Sequence, residues 1–136
     1  MQERAPIQPD DCFAPLPPAA LRGLQLFNVG EFFEAHEALE DAWREERGPI
    51  RVLYQAILQV AVTYLHIQHG NYEGGLQLSE RARLKLELWP DTCRGVDIAC
   101  LRHDLALVVE TLTRLGPAHI SAFNQGLFKA VRYQEK

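Results

Sequence analysis

A chain of 136 residues fits one domain and can bury a core without help from metals or disulfides. Its 47% hydrophobic and 24% charged residues are ordinary for a globular chain in water, and a net charge of −4 removes any sequence-independent grip on nucleic acid. No apolar run approaches the roughly 18 residues of a membrane span, and the N-terminus lacks the apolar stretch of a secretory signal.

Cys12, Cys93 and Cys100 form no CxxC pair, and an odd number without a secretory signal predicts a reducing, cytoplasmic setting. Cys100 falls in an apolar helical pattern and reads as a small core residue. Cys93 falls in a loop, open to solvent, with nothing nearby to activate a thiolate.

In chain order, Pro6, Pro9, Pro15, Pro17 and Pro18 predict an extended, non-helical arm over residues 1–18. Pro18 suits the first turn of a short helix, "AALRGLQLFN", with Leu21, Leu24 and Phe27 on one side. Asn28 and Gly30 interrupt it. A second helix runs over residues 30–46, contains "FFEAHEALEDAW", and stops at "RGP". The third, "IRVLYQAILQVAVTYLHIQHG", opens near Pro49 and is apolar nearly all round, as the central element of a bundle should be.

Gly70 reads as a helix stop and Asn71 as the N-cap of a helix over 72–88, which Trp89-Pro90 ends. The loop "PDTCRGVD" brings Asp97 to a natural N-cap. Ile98, Leu101, Leu105, Val108, Leu112 and Leu115 then recur at alternating spacings of three and four until Gly116-Pro117. Residues 118–136 read as a tail with a short helix. No repeat and no convincing strand appears. The expectation is a single-domain, all-α antiparallel bundle of about five helices over residues 19–117.

Helical winding of the second helix puts Phe32, His36, Leu39, Glu40 and Trp43 in one stripe. Glu37 and Arg44 flank it; Glu34 and Asp41 point away into solvent. On the next helix Gln55, Gln59, Val62 and His66 share one face, and polar groups on so apolar a helix need partners. The short "RGP" turn makes the two helices antiparallel, which places Gln59 opposite Glu37 and Gln55 beside Glu40. His66 falls about 9 Å along the axis from His36.

"HEALE" has the form HExxE and shares the first histidine and the glutamate of the zinc-protease helix HExxH, but Glu40 replaces the second histidine. Three readings stay open. In one, His36, Glu40 and His66 bind a divalent zinc, manganese or iron ion and Glu37 is the general base. In another, Gln55, Gln59, Trp43 and Arg44 join His36 and Glu40 in a purely structural hydrogen-bond network. In the third, the residues line a ligand site. Arg81, Arg83 and Lys85 read as a solvated helix face. Leu76, Leu78 and Leu88 are left over for a homodimer, with neither nucleic acid nor membrane expected as partner.

"FNVGEFFEAHEALEDAWRE", "YQAILQVAVTYLHIQHGNYEGG" and the "GVDIACL" turn together resemble the bacterial family called domain of unknown function 309. The resemblance spans roughly residues 22–112. It implies a small all-helical bundle and carries the label of predicted metal-dependent hydrolase. The matching positions are His36, Glu37, Glu40, Trp43 and Arg44, then Gln59, His66, Gly70 and Asn71, then Gly95 and Asp97. Ala56 stands where family usage often has glycine.

Overall fold

A computed structural model describes residues 9–134. Its elements are α1 (Pro9–Phe13), α2 (Pro18–Asn28), α3 (Phe32–Glu45), α4 (Arg51–Gln68), α5 (Tyr72–Leu86), β1 (Thr92–Cys93), β2 (Val96–Asp97) and α6 (Ile98–Leu115). Two 3-10 segments, Pro117–Ala122 and Gln125–Leu127, follow. The chain is an all-α bundle in which α2 to α5 pack against one another in chain order, as their short connections require. Helix α6 leans more loosely on α5.

The core is built from the helix faces that apolar periodicity marks out. Leu24 and Phe27 of α2, Leu39 of α3, Leu53, Ile57, Val60 and Tyr64 of α4, and Leu101, Val108 and Leu112 of α6 are all buried. Gly23 lets α2 approach α3 closely, since a β-carbon there would lie 2.6 Å from Leu39 Cγ. Asn71 caps α5 by accepting from the Gly74 N–H at 2.9 Å, and Asp97 caps α6 by accepting from the Cys100 N–H at 2.9 Å. Gly116, with φ of 71°, ends α6.

The tail folds back as part of the core. Phe128 stacks on Tyr64 with ring centroids 4.4 Å apart and meets the Phe32 ring edge-on at 5.7 Å. Asn28 at the end of α2 donates to the Val131 carbonyl at 2.9 Å and accepts from its N–H at 2.8 Å.

Several expectations need correction. The N-terminal arm is not wholly non-helical: Pro9 opens the one-turn helix α1, where its missing N–H costs nothing; residues 1–8 lie outside the described part. Helix α4 begins at Arg51 rather than near Pro49, because residues 49 and 50 form a turn. The expected loop at 92–97 is a two-residue β-hairpin. Its turn residues, Arg94 and Gly95, both have positive φ, 52° and 80°, which is the primed turn that matches strand twist.

An arginine is an unusual occupant of that conformation, and three bonds hold it there. The Arg94 N–H donates to the Cys12 carbonyl at 2.7 Å, its Nε to the Asp11 carbonyl at 2.5 Å, and its Nη1 to the Tyr54 hydroxyl at 3.1 Å. Cys93 is not exposed either. It is 1% accessible and disulfide-bonded to Cys12, 81 residues away. Two of the three cysteines are therefore paired and Cys100 alone is free, so the argument from the odd count for a reducing compartment falls.

Candidate functional site

The outer side of α3 carries the expected polar stripe. His36 Nε2 lies 3.3 Å from one Glu40 oxygen, and Arg44 donates to the other. This spacing of four residues makes the three side chains a ladder along one helix edge. With side chains of His36 and Glu40 28% and 31% accessible, the ladder is partly wet. Phe33 packs its ring against the His36 imidazole at 5.8 Å.

The residues meant to complete the set lie elsewhere. Glu37, the expected base, is exposed, as are Glu34 and Asp41. Gln59 is 8% accessible, and its Oε1 is buried without a hydrogen-bond partner. Gln55 is half-buried, and neither glutamine bonds His36 or Glu40. Trp43 serves α4 rather than the polar ladder: the Arg51 guanidinium lies 4.5 Å from its ring centroid. His66 supports the α4–α5 turn, its Nδ1 sitting 3.1 Å from Asn71 Nδ2. Gly74 makes room for that pair, since a β-carbon there would lie 3.0 Å from His66 Nδ1.

This donor set does not fit a resident metal ion. Among the described residues no three His, Cys, Asp or Glu side chains converge as ligands. His36 and Glu40 supply two donors, and Arg44 already occupies one carboxylate oxygen. A structural or catalytic zinc site takes at least three protein ligands.

A second polar group lies beneath the tail and is absent from the sequence reading. Asp104 is buried within the α6 apolar stripe, and the Cys100 thiol donates to its Oδ2 at 3.7 Å. Burial and then the Asp104 carboxylate push the Cys100 thiol up, so it stays protonated and poorly nucleophilic. Tyr64 has a buried hydroxyl with no partner; burial first and Asp104 second raise its ionisation well above the ordinary tyrosine range. An aspartate between Leu101 and Leu105 in a period-3/4 stripe was the available signal.

The charge distribution is uneven. Residues 31–46 hold seven carboxylates and one arginine, a net of −6 that exceeds the −4 of the entire chain. Glu31, Glu34, Glu37, Asp41 and Glu45 are exposed, and so are two apolar side chains, Phe33 of the first turn of α3 at 51% and Val29 in the α2–α3 turn at 72%. On the opposite flank, α5 and α6 splay around a groove of about 410 Å³ floored by Leu86, Leu105 and Val109. Its arginines are already occupied: Arg83 by Glu80 and Glu87, Arg102 by Asp91 and the Leu86 and Trp89 carbonyls. Among the described residues, no helix is long and apolar enough to cross a membrane.

The chain is similar to a protein of Aquifex aeolicus (strain VF5) described as "Uncharacterized protein", with 30% identity over 89 residues. The match covers 62% of this chain and 26% of that protein, so the chain spans about a quarter of the length of the curated relative it matches. A family model described as "Domain of unknown function (DUF309)" matches residues 20–78. That segment contains the whole His36–Glu40–Arg44 ladder, both glutamines and His66, while the hairpin, α6 and Asp104 lie beyond it. From α2 into α5, the chain is similar to the family described as Domain of unknown function (DUF309).

Proposed function

We propose that this chain is a non-catalytic helical interaction module, whose α3 outer face receives a cationic, amphipathic segment of a partner protein. The observation that supports it is the concentration of charge: a net of −6 on one helix region, beside exposed Phe33 and Val29. Complementary charge steers encounter and selects against wrong partners, while the aromatic supplies desolvated contact. The same acidic face repels nucleic acid and anionic membrane surfaces. In this reading His36, Glu40 and Arg44 hold the face in shape, and hydrolase chemistry is not assigned to them.

A synthetic amphipathic helix of lysine and leucine is the probe. Its binding, followed by fluorescence anisotropy, weakens with salt and is lost in a Phe33→Ala, Glu34→Lys, Asp41→Lys variant. Equal binding of a scrambled peptide of the same composition would mean charge alone is at work and would sink the proposal.

The second reading is a homodimer, favoured by the apolar α5–α6 groove and by the exposed Leu84 of α5, Leu88 just after it and Leu107 of α6. Of the leucines left over in the sequence, Leu88 is exposed whereas Leu76 and Leu78 are half-buried. Light scattering at several concentrations distinguishes a concentration-dependent dimer from a monomer.

A further inference from the structure

We infer that the Cys12–Cys93 pair is a site of reversible redox modification, a latch that a dithiol opens to release the N-terminal arm from the hairpin while the bundle stays folded. The geometry that carries it is the way both described ends of the chain converge on one hairpin. On one side, the disulfide and the bonds from Arg94 to the Cys12 and Asp11 carbonyls hold α1. On the other, the tail is held by Asp97 N–H donating to the Arg132 carbonyl at 2.8 Å and Gln134 N–H donating to the Gly95 carbonyl at 2.9 Å. Only the first side depends on a covalent bond, so the two sides are separable.

The exchange has a defined direction. Cys93 is buried and Cys12 half-buried, so an incoming thiolate reaches the Cys12 sulfur. The reagent sulfur bonds to Cys12 Sγ as the S–S bond breaks, and its electron pair leaves on Cys93 Sγ, which takes up a proton. The second thiol of the dithiol then displaces Cys12, giving a cyclic reagent disulfide and two protein thiols. The dithiol is oxidised by two electrons and the protein reduced by two. A disulfide oxidant of the same class reverses both steps.

What opens is local. The arm covers the junction where Arg94 reaches the hydroxyl of Tyr54, a wholly buried residue of α4. The two Arg94 bonds to the Cys12 and Asp11 carbonyls remain in the reduced chain but are noncovalent, and α1, a helix of five residues, has little packing of its own to hold it in place. Helices α2 to α6 keep their mutual packing, since none of them is anchored through Cys12. Cys100, bonded to Asp104 and kept protonated, takes no part.

The test uses the full chain with and without dithiothreitol. Alkylation under denaturing conditions should count one free thiol before reduction and three after. Hydrogen–deuterium exchange should quicken at least tenfold at the Arg94 amide and over residues 11–16 on reduction, while residues 131–134 and α2–α6 change little. Cys12→Ser should show the fast pattern whether or not dithiothreitol is present, and reoxidation of the wild-type chain should restore the slow one. Three free thiols in the air-oxidised chain, unchanged exchange on reduction, or loss of far-ultraviolet helicity on reduction would each overturn the inference.

Discussion

The guanidinium of Arg51 lies over the indole of Trp43, 4.5 Å from the ring centroid, and so ties the last turn of α3 to the first turn of α4. The Arg51 Nε is buried without a hydrogen-bond partner, so the ring face supplies its electrostatic compensation. Arg51→Ala should lower stability by about 0.5–1 kcal/mol in urea unfolding. The same substitution in a Trp43→Leu background should cost less, because the pair is already broken.

Gln59 gives the sharpest discrimination between a polar network and an isolated polar residue. Its carbonyl oxygen is buried and unpaired, so Gln59→Met should leave stability unchanged or raise it by up to ~1 kcal/mol. His36→Ala and Gln59→Ala should add within about 0.5 kcal/mol, since no bond joins the two residues. Coupling well above that value would restore the network.

Alkaline stability should be limited by the buried phenols. Burial, then Asp104, raises the ionisation of Tyr64 above 10.0; burial raises that of Tyr54, with Arg94 opposing. The folded chain thus keeps protons that the unfolded chain gives up near its ordinary value. The contribution is complete below about pH 10 and lost as pH climbs from there through the folded-state ionisation. The urea midpoint should therefore fall above about pH 10, and Tyr64→Phe should shallow that fall. Because the Tyr64 hydroxyl is unpaired, the same variant should cost nothing at neutral pH.

Gly95 should tolerate no side chain. Its φ is 80°, and a β-carbon would lie 2.3 Å from the Gln134 carbonyl oxygen. Gly95→Ala should detach residues 131–134, seen as loss of exchange protection there, and cost about 1–3 kcal/mol. Gly30 also has positive φ but open space around it, so Gly30→Asn should be far milder.

The helices were legible because they are long and periodic. Asn71, Asp97 and Gly116 act as the caps and stop that their residue types announce, and the α6 stripe from Ile98 to Leu112 is buried as its spacing requires. The hairpin was not legible. Its turn is Arg94-Gly95 rather than Asn-Gly, and Arg94 is held there by carbonyls more than 80 residues away in sequence. The disulfide was hidden for the same reason, since pairing Cys12 with Cys93 needs knowledge of where both chain segments lie. On α3, spacing found His36, Glu40 and Arg44 as neighbours. It could not tell that His66 would turn to Asn71 or that Glu37 would face water, because those outcomes depend on helix rotation about its axis.

The hairpin also fixes where mechanical load would travel. Pulling on residues 12 and 134 of the oxidised chain loads a short path: the Cys12–Cys93 bond, the Arg94-Gly95 turn, and the tail's two backbone bonds to Gly95 and Asp97. The helices lie off that path, so tension peels the tail first. Once the disulfide and the Arg94 bonds have opened, the same pull runs through α2 to α5 in series before it reaches the hairpin, and the bundle itself becomes the spring.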